Sequence, residues 1–167
     1  MALLKLPLSL HAVQISIVEP ALPGWLDTPR ARVLLMAIGL QESGFRVRRQ
    51  RGGPARGLWQ FERDGGVRGV LRHPSSRGLA RQFCAEAGVA ADAQDCYDAL
   101  AANDVLACQF ARLLLYTDSA PLPRLGASQQ AWEYYLRNWR PGRPRPDSWP
   151  DHYARARAAL LARGEAA

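Results

Sequence analysis

Residues 37–45 read AIGLQESGF and, one basic loop later, residues 55–62 read ARGLWQFE. The first stretch closes a segment in which Leu34, Ile38 and Gln41 recur on one side and Val33, Ala37 and Leu40 lie beside them, the spacing of an apolar helix face. Thr28 followed by Pro29 opens that segment with a hydroxyl cap and a proline at the first helical position. Gly44 supplies the stop. Glu42 therefore falls at the C-terminal end of an apolar helix. Partial negative charge at a helix C-terminus disfavours an ionised carboxylate, and so do apolar neighbours. Both raise the pKa and keep the group a proton donor near neutrality, as cleavage of a glycosidic bond requires. A glutamate at a helix end, taken alone, is most often a solvated one; the context gives this one its weight.

Working outward, residues 46–57, RVRRQRGGPARG, form a basic loop, and GLWQFE after it reads as extended or irregular. Asp64-Gly65-Gly66 has turn chemistry. Upstream, residues 10–18 predict a short helix, broken by Pro20, Pro23 and Gly24. Downstream, a short helical stretch ends at His73-Pro74. Ser75 or Ser76 can cap the next helix, which runs to about Ala87 before Gly88. Residues 92–102 and 104–116 both read helical, with Leu106, Phe110, Leu113 and Leu114 as core. Ser128 can cap a helix that puts Trp132, Tyr135, Leu136 and Trp139 on one face. RPGRPRP at 140–146 excludes regular helix. Pro150 opens a last helix ending near Gly164. The expected fold class is mainly α, with a small β region near residues 55–65, in one domain over residues 1–167.

The net charge of +7 points to polyanionic partners, either nucleic acid or an anionic cell envelope. No stretch resembles a known nucleic-acid module, and none is long and apolar enough to span a bilayer. The first ten residues are leucine-rich but interrupted by Pro7, and no clear small-residue cleavage site precedes Glu19, so a cytoplasmic start is expected. Cys84, Cys96 and Cys108 read as buried thiols of a reducing compartment, with a Cys84–Cys96 bridge open in an oxidising one. His11, His73 and His152 stand singly, without metal-ligand spacing, so neither metal nor cofactor is expected.

Glu42-Ser43 followed by Gly57-Leu58-Trp59-Gln60 resembles the soluble lytic transglycosylases and goose-type lysozymes, whose pattern is Glu-Ser at a helix end and then Gly-Leu-Met-Gln after a loop. Here Trp59 replaces the methionine. A third motif of that family, a Tyr-Asn pair, has its best local match in residues 135–142, YLRNWRPG, with Tyr134, Tyr135 and Asn138 all open for the role. Residues 132–153 resemble the C-terminal part of phage endolysins.

The resemblance implies a lysozyme-like fold with a cleft between two lobes. It implies that Glu42 protonates the oxygen between N-acetylmuramic acid and N-acetylglucosamine, and that the 2-acetamido group of the substrate, not a second carboxylate, stabilises the sugar cation. Glu42, then ionised, takes a proton either from the muramic 6-hydroxyl, giving a 1,6-anhydro product, or from water. The residues agree in one respect: the first carboxylates after Glu42 are Glu62 and Asp64, beyond the aromatic segment, and no Asp and Thr follow the Glu closely as in the other phage lysozyme class. Glu62 or Asp64 as a base for water stays open. Ser43 is expected to orient the Glu42 carboxylate or else to bond backbone at the helix end, Gln60 to bind substrate or position Glu42, Trp59, Tyr134, Tyr135 and Trp139 to stack on sugar rings, with core packing equally open for Trp139, and Asn138 to contact substrate. Phe61 is assigned to the core. The two basic loops would meet peptide-stem carboxylates or other envelope anions.

Two rival readings stand beside this one: a Cys84/His152 peptidase, disfavoured because Cys84 sits inside a helical pattern without an activating context, and a non-catalytic basic virion or envelope-binding protein. The sequence reading is thus a monomeric phage or prophage endolysin, a lytic transglycosylase or else a hydrolytic muramidase. It acts on peptidoglycan glycan strands in the periplasm after synthesis in the host cytoplasm.

Overall fold

The computed structural model describes residues 3–164 and is mainly helical, as the sequence predicts. Eight helices follow in order among the described residues. α1 runs through Leu10–Val13, a π-helical stretch Gln14–Val18 and Glu19–Ala21. Its start is capped by Ser9, whose hydroxyl accepts from the Ala12 N–H at 3.1 Å. It continues three residues beyond the expected end. The widened π turns come just before Pro20, which has no N–H to give to an α ladder.

α2, Pro29–Glu42, is the axis of the molecule. Thr28 caps it as expected, accepting from the Ala31 N–H at 3.2 Å. The sequence suggests one apolar face, but every residue from Val33 to Gln41 is buried. A helix apolar all round belongs inside a core. It packs most extensively against α8 (Trp149–Leu161), and also against α6 (Asp104–Tyr116), itself buried from Leu106 to Leu115.

α3 (Arg68–Arg72) is preceded by a π-helical turn, Arg63–Val67, where the sequence suggests an ordinary turn at Asp64-Gly65-Gly66. Gly66 lies against the Phe61 ring, which an added Cβ would meet at 2.7 Å. α4 (Arg77–Glu86) and α5 (Ala93–Ala99) follow. Asp92 caps α5 and Asn103 caps α6 through their side-chain oxygens. Ser76 does not cap α4; its buried hydroxyl donates instead to the Val70 carbonyl at 2.7 Å, tying α3 to α4. α7, Ser128–Trp139, contains Ser128 as its first residue rather than as a hydroxyl cap, and ends on Arg140 in the left-handed region.

The expected small β region is reduced to two isolated antiparallel bridges, Arg49–Arg56 and Arg56–Phe61, with no strand among the described residues. Gly52, Gly57 and Gln60 all have positive φ, which interrupts extended backbone within a few residues. The basic loop is nevertheless anchored. Arg48 forks onto Asp104 at the start of α6 with two bonds of 2.7 Å, and Arg56 lies over the Tyr97 ring. No described helix is long and apolar enough to cross a membrane.

Candidate active site

α2 delivers Glu42 to the floor of a cleft of about 1110 Å³. The helix ends in the geometry its sequence demands. Gly44 takes φ +61 and its N–H returns to the Gly39 and Leu40 carbonyls. Phe45 also has positive φ, and this turns its ring back onto Gly39. A Cβ at Gly39 would stand 2.2 Å from the Phe45 ring, so this helix position has room only for glycine.

The GLWQ stretch builds the opposite wall from inside outward. Gly57, at φ +75, lies so close to the Leu100 carbonyl that a Cβ would meet it at 2.8 Å. Leu58 is buried, and its carbonyl accepts from the Ser43 hydroxyl at 2.6 Å. Ser43 thus joins the two motifs through backbone rather than through the Glu42 carboxylate. Its hydroxyl also donates to Gly39 O and accepts from the Phe45 N–H, and it makes no bond to the Glu42 carboxylate. A short hydroxyl at a helix end finds backbone partners first.

Trp59 corrects an expectation. It is fully buried, edge-on to Phe45, with its indole N–H donating to the Leu35 carbonyl at 2.9 Å, so it offers no face to a sugar. Trp139 does line the cleft; its own N–H donates to the Trp59 carbonyl at 3.0 Å. Gln60 reaches the cleft wall with φ +51, its amide donating back to the Gly57 carbonyl.

Of the three residues open for the third motif, Tyr135 is the one brought to the glutamate. Its hydroxyl donates to Glu42 Oε1 at 2.6 Å. Its ring is buried and stacked on Trp149 at 5.3 Å and 12°, so it serves the carboxyl and not a sugar ring. Tyr134 faces the interior: its hydroxyl donates to the Leu115 carbonyl, and burial pushes the phenol up to about 12. Its assignment to substrate is therefore also corrected. Asn138 lines the cleft while its amide donates to Asp118 and to the Tyr134 carbonyl.

Two further participants join the site, Gln41 with no sequence signal of its own and Arg145 known from sequence only as part of a basic loop. Gln41, buried beside Glu42, donates to the Arg145 carbonyl at 2.9 Å and accepts from Ser148 at 3.1 Å; its Oε1 also lies 2.8 Å from His152 Nδ1. Arg145 returns a bond to the Gln41 carbonyl, which holds its guanidinium in the field of Glu42. Their neighbours in sequence, a helix and a proline-rich loop, give no hint that they meet.

Burial raises the Glu42 pKa above the usual carboxylate value, while the Tyr135 hydroxyl and the Arg145 cation draw it back. The result is a carboxyl that can hold a proton and can also release it. With Tyr135 on Oε1, the proton belongs on the other oxygen. Glu62 and Asp64 line the same cleft. Asp64 is held by Arg63 and Arg68; the Glu62 carboxylate has no hydrogen-bond or ion-pair partner among the described residues. The His152 ring is engaged by Gln41, and Cys84 is buried within 3.4 Å of Cys96, so the Cys84/His152 peptidase pairing has no geometric support. No cluster of metal-ligating side chains occurs among the described residues. Comparison of the chain with protein-family models, curated proteins and solved structures finds no match.

Proposed function

We propose that this protein is a lysozyme-like endolysin that cleaves the β-1,4 bond between N-acetylmuramic acid and N-acetylglucosamine in peptidoglycan as a lytic transglycosylase. The observation that carries the reading is the carboxyl of Glu42. It lies partly buried at the end of a core helix and on an open cleft, and it receives a phenolic hydrogen bond from Tyr135. A carboxyl made reluctant to ionise is suited to protonating a leaving oxygen. Once it has given its proton, Tyr135 and Arg145 stabilise the anion, which then acts as base toward the muramic 6-hydroxyl. The 2-acetamido group of the substrate carries the developing sugar cation between the two steps. Trp139, Gln60 and Asn138 are the cleft residues offered to the sugars.

Digestion of purified peptidoglycan followed by mass analysis tests this. Wild type should release muropeptides lacking one water, and Glu42→Gln should release none. Equal digestion by both would remove Glu42 from catalysis. A wild type that binds peptidoglycan without turnover would favour the non-catalytic binding protein.

A second reading rests on the unpartnered Glu62 in the same cleft. As a base for water it would make the enzyme a hydrolytic muramidase, with reducing-end products and loss of activity in Glu62→Gln. Under the transglycosylase reading Glu62→Gln stays active. Synthesis in a host cytoplasm, passage to the periplasm through a membrane lesion, and action as a monomer complete the proposal.

A further inference from the structure

The two basic loops meet at the cleft: Arg51 lines it from the first, and Arg140, Arg143 and Arg145 from the second. Arg145 is bonded directly to the end of α2, where its guanidinium donates to the Gln41 carbonyl. That carbonyl belongs to the last turn of the helix, whose C=O groups lack partners within it and where a cation is favoured. The bond places the charge on the residue next to Glu42. Arg145 is otherwise exposed, and a long exposed side chain has many rotamers. Packing does not decide where this cation stands; the backbone of its loop has to.

That backbone is held by a chain of side-chain bonds. The Gln41 amide donates to the Arg145 carbonyl at 2.9 Å, and its Oε1 lies 2.8 Å from Nδ1 of His152 on α8. The Ser148 hydroxyl stands 3.1 Å from both the Arg145 carbonyl and Gln41 Oε1. The orientation of the amide follows from its partners. Turned over, it would set its oxygen against the Arg145 carbonyl, and two acceptors do not bond. With Oε1 toward His152, the imidazole must carry its proton on Nδ1 and donate. Burial holds the His152 pKa below its usual value, Arg155 and Arg145 add to the effect and Asp151 opposes it, so the ring is neutral at pH 7 and has a single proton to place. Gln41 is itself fully buried, so a bond it fails to make leaves a desolvated amide group unsatisfied.

We propose that His152 is a positioning residue of this site: through the Gln41 amide it fixes the loop that presents Arg145 to Glu42. This role rests on the reading of Glu42 as the acid of a glycosidase. His152 does not line the cleft and acts at one remove. Of the groups that face the Glu42 carboxyl, Tyr135 is held by its own ring stack, whereas Arg145 depends on the clamp. The cation favours the ionised carboxylate that serves as base after the first proton transfer. A loosened loop leaves that anion less supported, and Glu42 then keeps its proton to higher pH.

NMR titration of the Glu42 side-chain carboxyl carbon, assigned with Glu42→Gln, reads the effect without substrate. Arg145→Gln should shift the titration to higher pH. His152→Ala should shift it the same way by less, and His152→Ala combined with Arg145→Gln should titrate as Arg145→Gln alone. His152→Asn, whose amide can donate in place of Nδ1, should return the curve to that of wild type. On peptidoglycan, the alkaline limb of the pH–rate profile should move in step with the titration. An unmoved titration in Arg145→Gln or in His152→Ala overturns the proposal, whatever either variant loses in melting temperature, and so does a His152→Ala shift that adds in full to that of Arg145→Gln. An asparagine variant displaced as far as the alanine one overturns the donor role of Nδ1. If wild type does not cut peptidoglycan, the glycosidase reading fails, and the titration still decides whether His152 governs Arg145.

Discussion

Tyr135 reaches Glu42 from a ring fixed face to face on Trp149, so its hydroxyl is aimed before any substrate arrives. Tyr135→Phe keeps the stack and removes the donor. Because the lost bond favours the ionised carboxylate, the Glu42 pKa rises further, and the alkaline limb of the pH–rate profile should move to higher pH. A hydrogen bond to a charged group contributes about 1.5–3 kcal/mol, so kcat should fall on the order of tenfold or more. A profile that drops without shifting would leave Tyr135 a packing residue only. Glu42→Gln makes the complementary case. A carboxyl whose folded pKa lies above its unfolded value of about 4.3 contributes stability below that value and loses it as pH rises through the folded one. Above the unfolded value the unfolded chain gains from ionising this carboxyl, and the folded chain, where burial disfavours the charge, gains less. The glutamine variant should therefore melt higher than wild type at neutrality, with the gap closing toward pH 4. A variant that melts lower at pH 7 would contradict the burial described for this side chain. The sequence legibly placed Glu42 at a helix end, because caps and periodicity are local. It did not separate Tyr134 from Tyr135: neighbours on a helix point about 100° apart, and which one meets Glu42 depends on how α7 lies, which no local pattern records.

At the scale of elements, the end of α2 depends on Gly39 yielding its Cβ space to the Phe45 ring. Gly39→Ala puts a methyl where the ring sits, and although alanine favours helix, the overpacking should cost about 1–3 kcal/mol. Chemical denaturation measures it; a neutral result would mean that Phe45 can leave its place under Trp59. α4 and α5 carry a different device. Cys84 and Cys96 are both buried, with sulfurs 3.4 Å apart, while Cys108 is buried on α6. Exchange with oxidised glutathione should join Cys84 to Cys96 and raise stability by about 3 kcal/mol, as expected for a loop of this size. Unfolding midpoints with and without reductant, against Cys96→Ser as control, would show it; identical midpoints would mean that the pair does not close. The helices themselves were legible because glycine, proline and capping residues punctuate them. The β region near residues 55–65 shrinks to isolated bridges because an aromatic, extended-looking stretch gives no local sign of the positive φ values that break it. Trp59 escapes the sequence because an aromatic face suits a sugar ring as well as a core, whereas its indole is claimed by a helix 24 residues earlier.

At the scale of the molecule, mainly helical architecture followed from the sequence directly, and the meeting of the two basic loops around one acid did not. The distances along the chain explain why. Tyr135 lies 93 residues beyond Glu42, and Arg145 lies 104 beyond Gln41. Contacts of that span leave no trace in a local window, and they close late because a long loop must first be drawn together. On the proposed glycosidase reading they also fix when activity can begin. During synthesis the acid emerges from the ribosome long before the hydroxyl and the cation that tune it. A nascent or prematurely terminated chain would hold Glu42 at the end of an unfinished helix, with neither its burial nor its partners. On the proposed glycosidase reading, the chemistry is withheld until α7 and the loop after it have been made.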